Sequence, residues 1–183
     1  HVQWGPLEVG DIRDGARLNA VFALHKPVAV LHFAARIEVG ESVKNPGVFF
    51  DNNVGGAITL IEAARRAGVN AMVFSSTCAT FGDPVTLPMN EVHPQAPLNP
   101  YGRSKLMIEQ ALADYDRYVG FRSAVMRYFN AAGADPEGRI GEWHEPETHA
   151  IPLAIQVALG QRSHFTIFGD DYDTRDGTAV RDY

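Results

Sequence analysis

A phenol, an ammonium group and a run of hydroxyls are the side chains here whose types and spacing offer chemistry. The stretch "NPYGRSKLMIEQ" (Asn99–Gln110) reads as the start of a helix, with Asn99 suited to the cap and Pro100 to the first helical position. With Tyr101 at zero on a wheel of about 100° per residue, Lys105 falls at about 40°, Ile108 at about −20°, Leu112 at about 20° and Val119 near zero. Tyrosine and lysine therefore share the apolar face of their own helix. A free phenol titrates near about pH 10 and is a poor base at neutral pH. A cation one helical turn away favours the phenolate and lowers that value, and apolar surroundings strengthen the effect. Upstream, "SSTCAT" (Ser75–Thr80) ends a β-rich run with hydroxyls that can bond the same substrate oxygen. The pattern points to a tyrosine acting as a general base.

These residues need a scaffold. Four β-rich runs stand out, at Val28–Phe33, Ala71–Ser76, Ser123–Phe129 and His164–Phe168. Helical patterns separate them, at Ala16–Lys26, Val48–Gly68, from Asn99 to about Val119, and Glu147–Gly160. Apolar strands alternating with helices predict a parallel sheet covered on both faces, with the ligand beyond the carboxyl ends of the strands. Those ends are "FAAR" (Phe33–Arg36), "SSTCATFG" (Ser75–Gly82) and "YFNAAG" (Tyr128–Gly133), small, polar or aromatic rather than charged. The proline-rich segment Asp83–Leu98 reads as a long irregular loop placed to cover the site.

Composition sets the outer limits. The chain has 183 residues, 45% hydrophobic and 21% charged, as in an ordinary soluble globular protein. Its apolar runs fall short of a membrane span and no signal peptide is visible, so no membrane partner is expected. Cys78 is the only cysteine, which excludes an intrachain disulfide and fits a reducing, cytoplasmic setting. A net charge of −6 argues against a nucleic-acid partner but leaves room for an anionic small molecule. The chain opens at His1 and stops at "VRDY" without a capping signal, which reads as an internal piece of a longer protein. His144 and His149 in "HEPETH" lack the H-E-x-x-H spacing, and no metal is expected. Cys78 reads as a small buried hydrophobe, and His32 as the structural end of a buried strand.

"YGRSK" with its upstream Ser/Thr cluster resembles the catalytic set of the extended short-chain dehydrogenase/reductases. With "GDIRD", "HFAARIEVGESVKNP", "DNNVGG", "FSSTCATFGDP", "RYFNAAGADP" and "FGDDYDTRDGTAVRDY" in the same order from Val9 to Tyr183, the sequence is similar to the UDP-glucose 4-epimerase family. The resemblance implies an α/β, NAD-binding Rossmann-like domain over residues 1–133, a doubly wound parallel sheet incomplete at its N-terminus. Residues 134–183 would begin a small substrate-binding region. It implies an isomerase of galactose metabolism that interconverts UDP-glucose and UDP-galactose through a 4-keto sugar. NAD would be the cofactor, a UDP-hexose the substrate, and the full-length protein a homodimer.

Carried over residue by residue, Tyr101 is the base, Lys105 holds the nicotinamide ribose and lowers the tyrosine pKa, and Thr77 bonds the sugar 4-hydroxyl. Asp11 and Ile12 would meet the adenine. Phe33, Ala34 and Ala35 would line the pyrophosphate and nicotinamide, with Arg36 and Ile37 beside them, Asn52 behind the cofactor and Phe129 facing the nicotinamide. For the sugar nucleotide the resemblance implies Asn130, His149 and Ala150, with Thr166, Ile167 and Phe168 flanking the uridine and Arg181 pairing with a diphosphate oxygen. Thr77 stands where many relatives have serine, and Ile37 where some have lysine.

No G-x-G-x-x-G fingerprint precedes "GDI", and "GADPEGRIGE" (Gly133–Glu142) carries glycines without that spacing. Because the phosphate-binding helix terminus supplies much of the grip on a dinucleotide, this chain alone is expected to bind NAD weakly or not at all and to be inactive. Two alternatives stay open: another UDP-sugar 4-epimerase, acting on UDP-xylose/UDP-arabinose or a UDP-N-acetylhexosamine, or a catalytically silent fragment. A nucleotide-sugar 4,6-dehydratase wants acids after the threonine, where Cys78 and Ala79 stand.

Overall fold

Asp14 starts the first helix, α1 (Gly15–His25), by accepting the Arg17 backbone N–H at 2.9 Å. The computed structural model describes residues 4–180, which part into two compact units between Tyr128 and Phe129. The sequence reading set its boundary after Gly133. After α1 the first unit runs through β1 (Val30–His32), α2 (Val39–Lys44), α3 (Pro46–Phe49), a wider π-helical turn (Phe50–Gly55), α4 (Gly56–Arg66), β2 (Ala71–Thr77), a 3-10 turn (Cys78–Thr80), α5 (Pro100–Val119) and β3 (Arg122–Tyr128). The single helix expected over Val48–Gly68 is thus broken in its winding at Phe50–Gly55.

The three strands are parallel in the order β1-β2-β3, with His32 opposite Phe74 and Thr77 opposite Tyr128. Alternation along β2 sends Met72 and Phe74 into the core. There they meet Ala57, Leu60, Ile61 and Ala64 of α4, Ile108 and Leu112 of α5, Phe22 of α1, and Phe121. Each large side chain so buried contributes about 1.5–3 kcal/mol. The sheet's opposite face leaves Leu31, Met126 and Tyr128 exposed, so within the described residues α1, α4 and α5 cover one face, where the sequence led us to expect two.

Helix α5 matches its sequence signals closely. The Asn99 side chain accepts the Gly102 N–H at 2.8 Å, Pro100 is the first helical residue, and Gly120 ends the helix at φ 70°. The second unit contains α6 (Ala150–Ala158), with no buried residue among those described. Two expectations fail there. The helix begins at Ala150 rather than Glu147, because the Glu147 carboxylate folds back to accept the Thr148 and His149 N–H groups at 2.7 and 2.8 Å. The run His164–Phe168 forms no strand; an apolar run becomes a strand only beside another strand to pair with, and Ile167 and Phe168 are exposed instead. Among the described residues no helix is long and apolar enough to cross a membrane.

Candidate functional site

Thr77 is the last residue of β2 and Tyr101 the second of α5, and the fold brings the two together across the 3-10 turn. The contact depends on a glycine. A Cβ on Gly102 would lie 2.4 Å from the Ala79 carbonyl oxygen, so only glycine lets the start of α5 settle against the turn after Thr77. The Thr77 Oγ1 accepts the Ala79 N–H at 3.2 Å, and its hydroxyl stands near enough to the Tyr101 phenol to favour the phenolate. One turn on, Lys105 is buried. Its ammonium donates to the Ser75 carbonyl at 2.8 Å and lies 4.9 Å from the centroid of the Phe74 ring. Thr77, Tyr101 and Lys105 therefore form one cluster at the carboxyl end of β2.

The electrostatics differ from the sequence expectation. Burial pushes the Tyr101 phenol above its ordinary value, the neighbouring Thr77 hydroxyl pulls it down, and Cys78 adds to the rise. In this chain alone the phenol is thus harder to ionise, not easier, because the ammonium of Lys105 is turned to Ser75 and Phe74. Burial lowers Lys105 itself to about 8. His32, stacked on Phe74 at 5.7 Å between ring centroids, is held down to about 4 by burial first and by the charge of Lys105 second. It ends β1 as a buried neutral ring, in line with the sequence reading.

Beside this cluster the "FAAR" segment is fixed by an amide that sequence reasoning passed over. Asn53, fully buried in the π-helical turn, accepts the Arg36 N–H at 2.8 Å and donates to the Arg36 carbonyl at 3.1 Å. It also donates to Ser104 Oγ at 3.0 Å, and Ser104 donates to the Tyr101 carbonyl at 2.7 Å. One side chain thus joins the strand-end loop to the helix of Tyr101. Asn52 donates to Asn53 at 3.0 Å. Phe33 and Ala34 are exposed, Ala35 is half-buried, and Ile37 is exposed with its N–H turned to the Glu38 carboxylate at 3.3 Å. The Asp11 carboxylate is occupied by the Arg13 backbone and guanidinium at 2.6–3.0 Å, which hold it down to about 2. Ile12 packs where a Cβ on Gly56 would stand, 2.5 Å from that point.

In the second unit a cavity of about 880 Å³ gathers most of the residues expected to bind sugar nucleotide. Phe129, Asn130, His149, Ala150, Thr166 and Phe168 line it. Ile167 is not in the lining, and Arg181 lies outside the described residues. Arg162, Phe165 and Glu142 also line the cavity, and nothing in their local sequence signals it. The fold further draws His144, Glu147 and His149 together, with donor atoms within 4.8 Å of one another. That grouping escapes the spacing rule because its two histidines stand five residues apart with Pro146 between them. Its central oxygen, Glu147 Oε1, already accepts two backbone N–H groups and lies 2.9 Å from His149 Nδ1, the arrangement of a cap on the turn leading into α6.

A family model described as GDP-mannose 4,6 dehydratase matches residues 5–183. The UDP-glucose 4-epimerase of Rhizobium leguminosarum bv. trifolii is 68% identical over 182 residues, which make up 100% of this chain and 56% of that enzyme. The UDP-glucose 4-epimerase of Halalkalibacterium halodurans is 52% identical over 174 residues, 95% of this chain and 52% of that enzyme. Among solved structures, UDP-glucose 4-epimerase from Brucella ovis in complex with NAD superposes with a TM-score of 0.90 at 49% identity, over 96% of this chain and 54% of that one. The enzyme from Bifidobacterium longum in complex with NAD+ and UDP superposes with a TM-score of 0.89 at 38% identity, over 96% and 53%. The fold is Rossmann-like, and the chain spans about half the length of the relatives it matches.

Proposed function

The chain belongs to the family described as GDP-mannose 4,6 dehydratase, and from that premise we propose that the protein carrying it is an NAD-dependent UDP-hexose 4-epimerase, interconverting UDP-glucose and UDP-galactose. The observation that carries this reading is the Tyr101 phenol at the start of α5 beside the Thr77 hydroxyl at the end of β2, with the buried ammonium of Lys105 one helical turn away. Dehydration is disfavoured despite the family's name, since Cys78 and Ala79 follow Thr77 and neither is a carboxylic acid.

The donor set suits the ribose and nicotinamide end of NAD. An ammonium has three N–H groups, and the Ser75 carbonyl takes one from Lys105, which leaves donors for a diol. The loop after β1, held by Asn53, offers the small main chain of Ala34 and Ala35. When bound, NAD supplies a reversible hydride acceptor for the sugar C4. The chain's residues do the rest. Tyr101 takes the proton from the 4-hydroxyl, and Thr77 orients that hydroxyl through its own. The positive charge of Lys105, reinforced by the cofactor's, brings the phenol down from its raised value toward working pH. Once the 4-keto sugar has turned over, the hydride would return to the opposite face of C4 while Tyr101 returns the proton to the O4 oxygen. Asn130, His149, Ala150, Thr166 and Phe168 would hold the UDP portion in the cavity of the second unit.

The test is conversion of UDP-galactose by the full-length protein, followed by chromatography, beside Tyr101→Phe. Conversion to UDP-glucose that vanishes in the variant supports the reading. No turnover of either hexose by protein that retains NAD would redirect it to another nucleotide sugar.

A further inference from the structure

Twenty-odd residues separate Thr77 from Tyr101, and most of them are the irregular, proline-rich loop 83–98. A loop of that kind does not fix the spacing of its ends by itself. Glu109 lies two turns beyond Tyr101 on α5 and is buried. Its carboxylate accepts the hydroxyl of Ser76, the neighbour of Thr77 on β2. It accepts the Gln95 side-chain N–H from the loop at 2.9 Å. It accepts the Arg127 guanidinium of β3 at 2.8 and 3.1 Å. Arg127 in turn donates to the Glu91 carbonyl of the loop at 3.1 Å, and its guanidinium lies 5.1 Å from the Phe81 ring centroid. Phe81 meets His93 edge-on at 5.4 Å, and its carbonyl accepts the Ala96 N–H at 3.1 Å.

We propose that Glu109 and Arg127 form a positioning clamp that keeps the Thr77 hydroxyl in register with the Tyr101 phenol by tying the Tyr101 helix, the Thr77 strand and loop 83–98 to one ion pair. The proposal rests on Thr77 and Tyr101 being the reacting pair. Neither clamp residue touches the phenol or the Thr77 hydroxyl in the bonds described, so their action is through geometry. A buried carboxylate with several donors holds them in a narrow range of directions, and reacting groups misplaced by about 1 Å lose up to about a hundredfold in rate.

Two variants of the full-length protein separate this role from simple structural support. Gln95→Ala removes one of the two loop arms and leaves the Arg127 bond to the Glu91 carbonyl in place. Glu109→Gln keeps an oxygen for Ser76 but loses the charge and the acceptor shared by Arg127 and Gln95. Hydrogen exchange over residues 77–98 and steady-state kinetics with UDP-galactose are read together. The clamp predicts faster exchange across that segment in both variants. It predicts a fall in kcat of about tenfold for Gln95→Ala and up to about a hundredfold for Glu109→Gln, with KM changed by less than about twofold. Unchanged exchange in both variants would overturn the clamp. Faster exchange with full kcat would reduce it to structural support and overturn the positioning role. If the unaltered protein converts no UDP-hexose, the functional reading fails, while unchanged exchange at Thr77–Phe81 would still overturn the clamp on its own.

Discussion

The two units handle their proposed tasks in different physical ways. Thr77, Tyr101 and Lys105 stand on a strand end and a helix seated in a core that includes fully buried Phe74, Ile108, Leu112 and Phe121. The cavity of the second unit is walled by exposed side chains, among them Phe168 at 97%. The first arrangement is fixed by its own core before any ligand arrives, so its groups keep their geometry. The second has little buried apolar area to hold it, so local opening there costs little free energy and a ligand must supply part of the order. A proton-transfer group gains from the first design, and a surface that admits and releases a nucleotide gains from the second.

Tyr101→Phe tests the preorganised half most severely. It removes one hydroxyl from an intact core, so kcat of the full-length protein should fall about a thousandfold while the thermal midpoint barely moves. A fall of less than about tenfold would place the base elsewhere. Lys105 gives the next largest effect. Its folded value of about 8 lies below the ordinary 10.5, so the unfolded chain binds the proton more tightly between those limits. Stability should therefore rise with pH from about 8 to about 10.5, by about 3 kcal/mol in all, and urea unfolding of Lys105→Met should show no such rise. Asn53→Ala leaves the Arg36 main chain unpaired and should lower stability by about 2 kcal/mol, read as a drop in the urea midpoint. In the second unit, Phe168→Ala should change stability by less than about 0.5 kcal/mol. The same variant should weaken UDP binding about tenfold by calorimetry, and a large loss of stability instead would mean that the unit has a core after all.

Local signals carried far in the sequence. Helix α5 was legible because its cap, its proline, its apolar stripe and its closing glycine all lie within the segment itself. The pairing of Thr77 with Tyr101 was legible through the family resemblance, but its electrostatics were not. The sign of the Tyr101 shift depends on burial and on where the Lys105 ammonium points, and both are set by β2. Gly102, Asn53 and Glu109 escaped for the same reason: each matters through a partner remote in sequence, Ala79, Arg36 or Ser76. His164–Phe168 misled because strand-forming composition says nothing about whether a neighbouring strand is available.

The π-helical turn has one further consequence. Phe49, Asn53, Ala57 and Ile61 are all buried, at steps of four residues. In a regular α-helix each such step drifts by about 40°, so three would carry Ile61 about 120° away from Phe49. Wider winding at Phe50–Gly55 takes up less angle per residue and offsets the drift, which keeps the four buried side chains on one face. The segment works as a vernier on the helix. Exchanging its exposed side chains would leave the alignment intact, whereas losing a single residue would rotate one end of the row out of the protein.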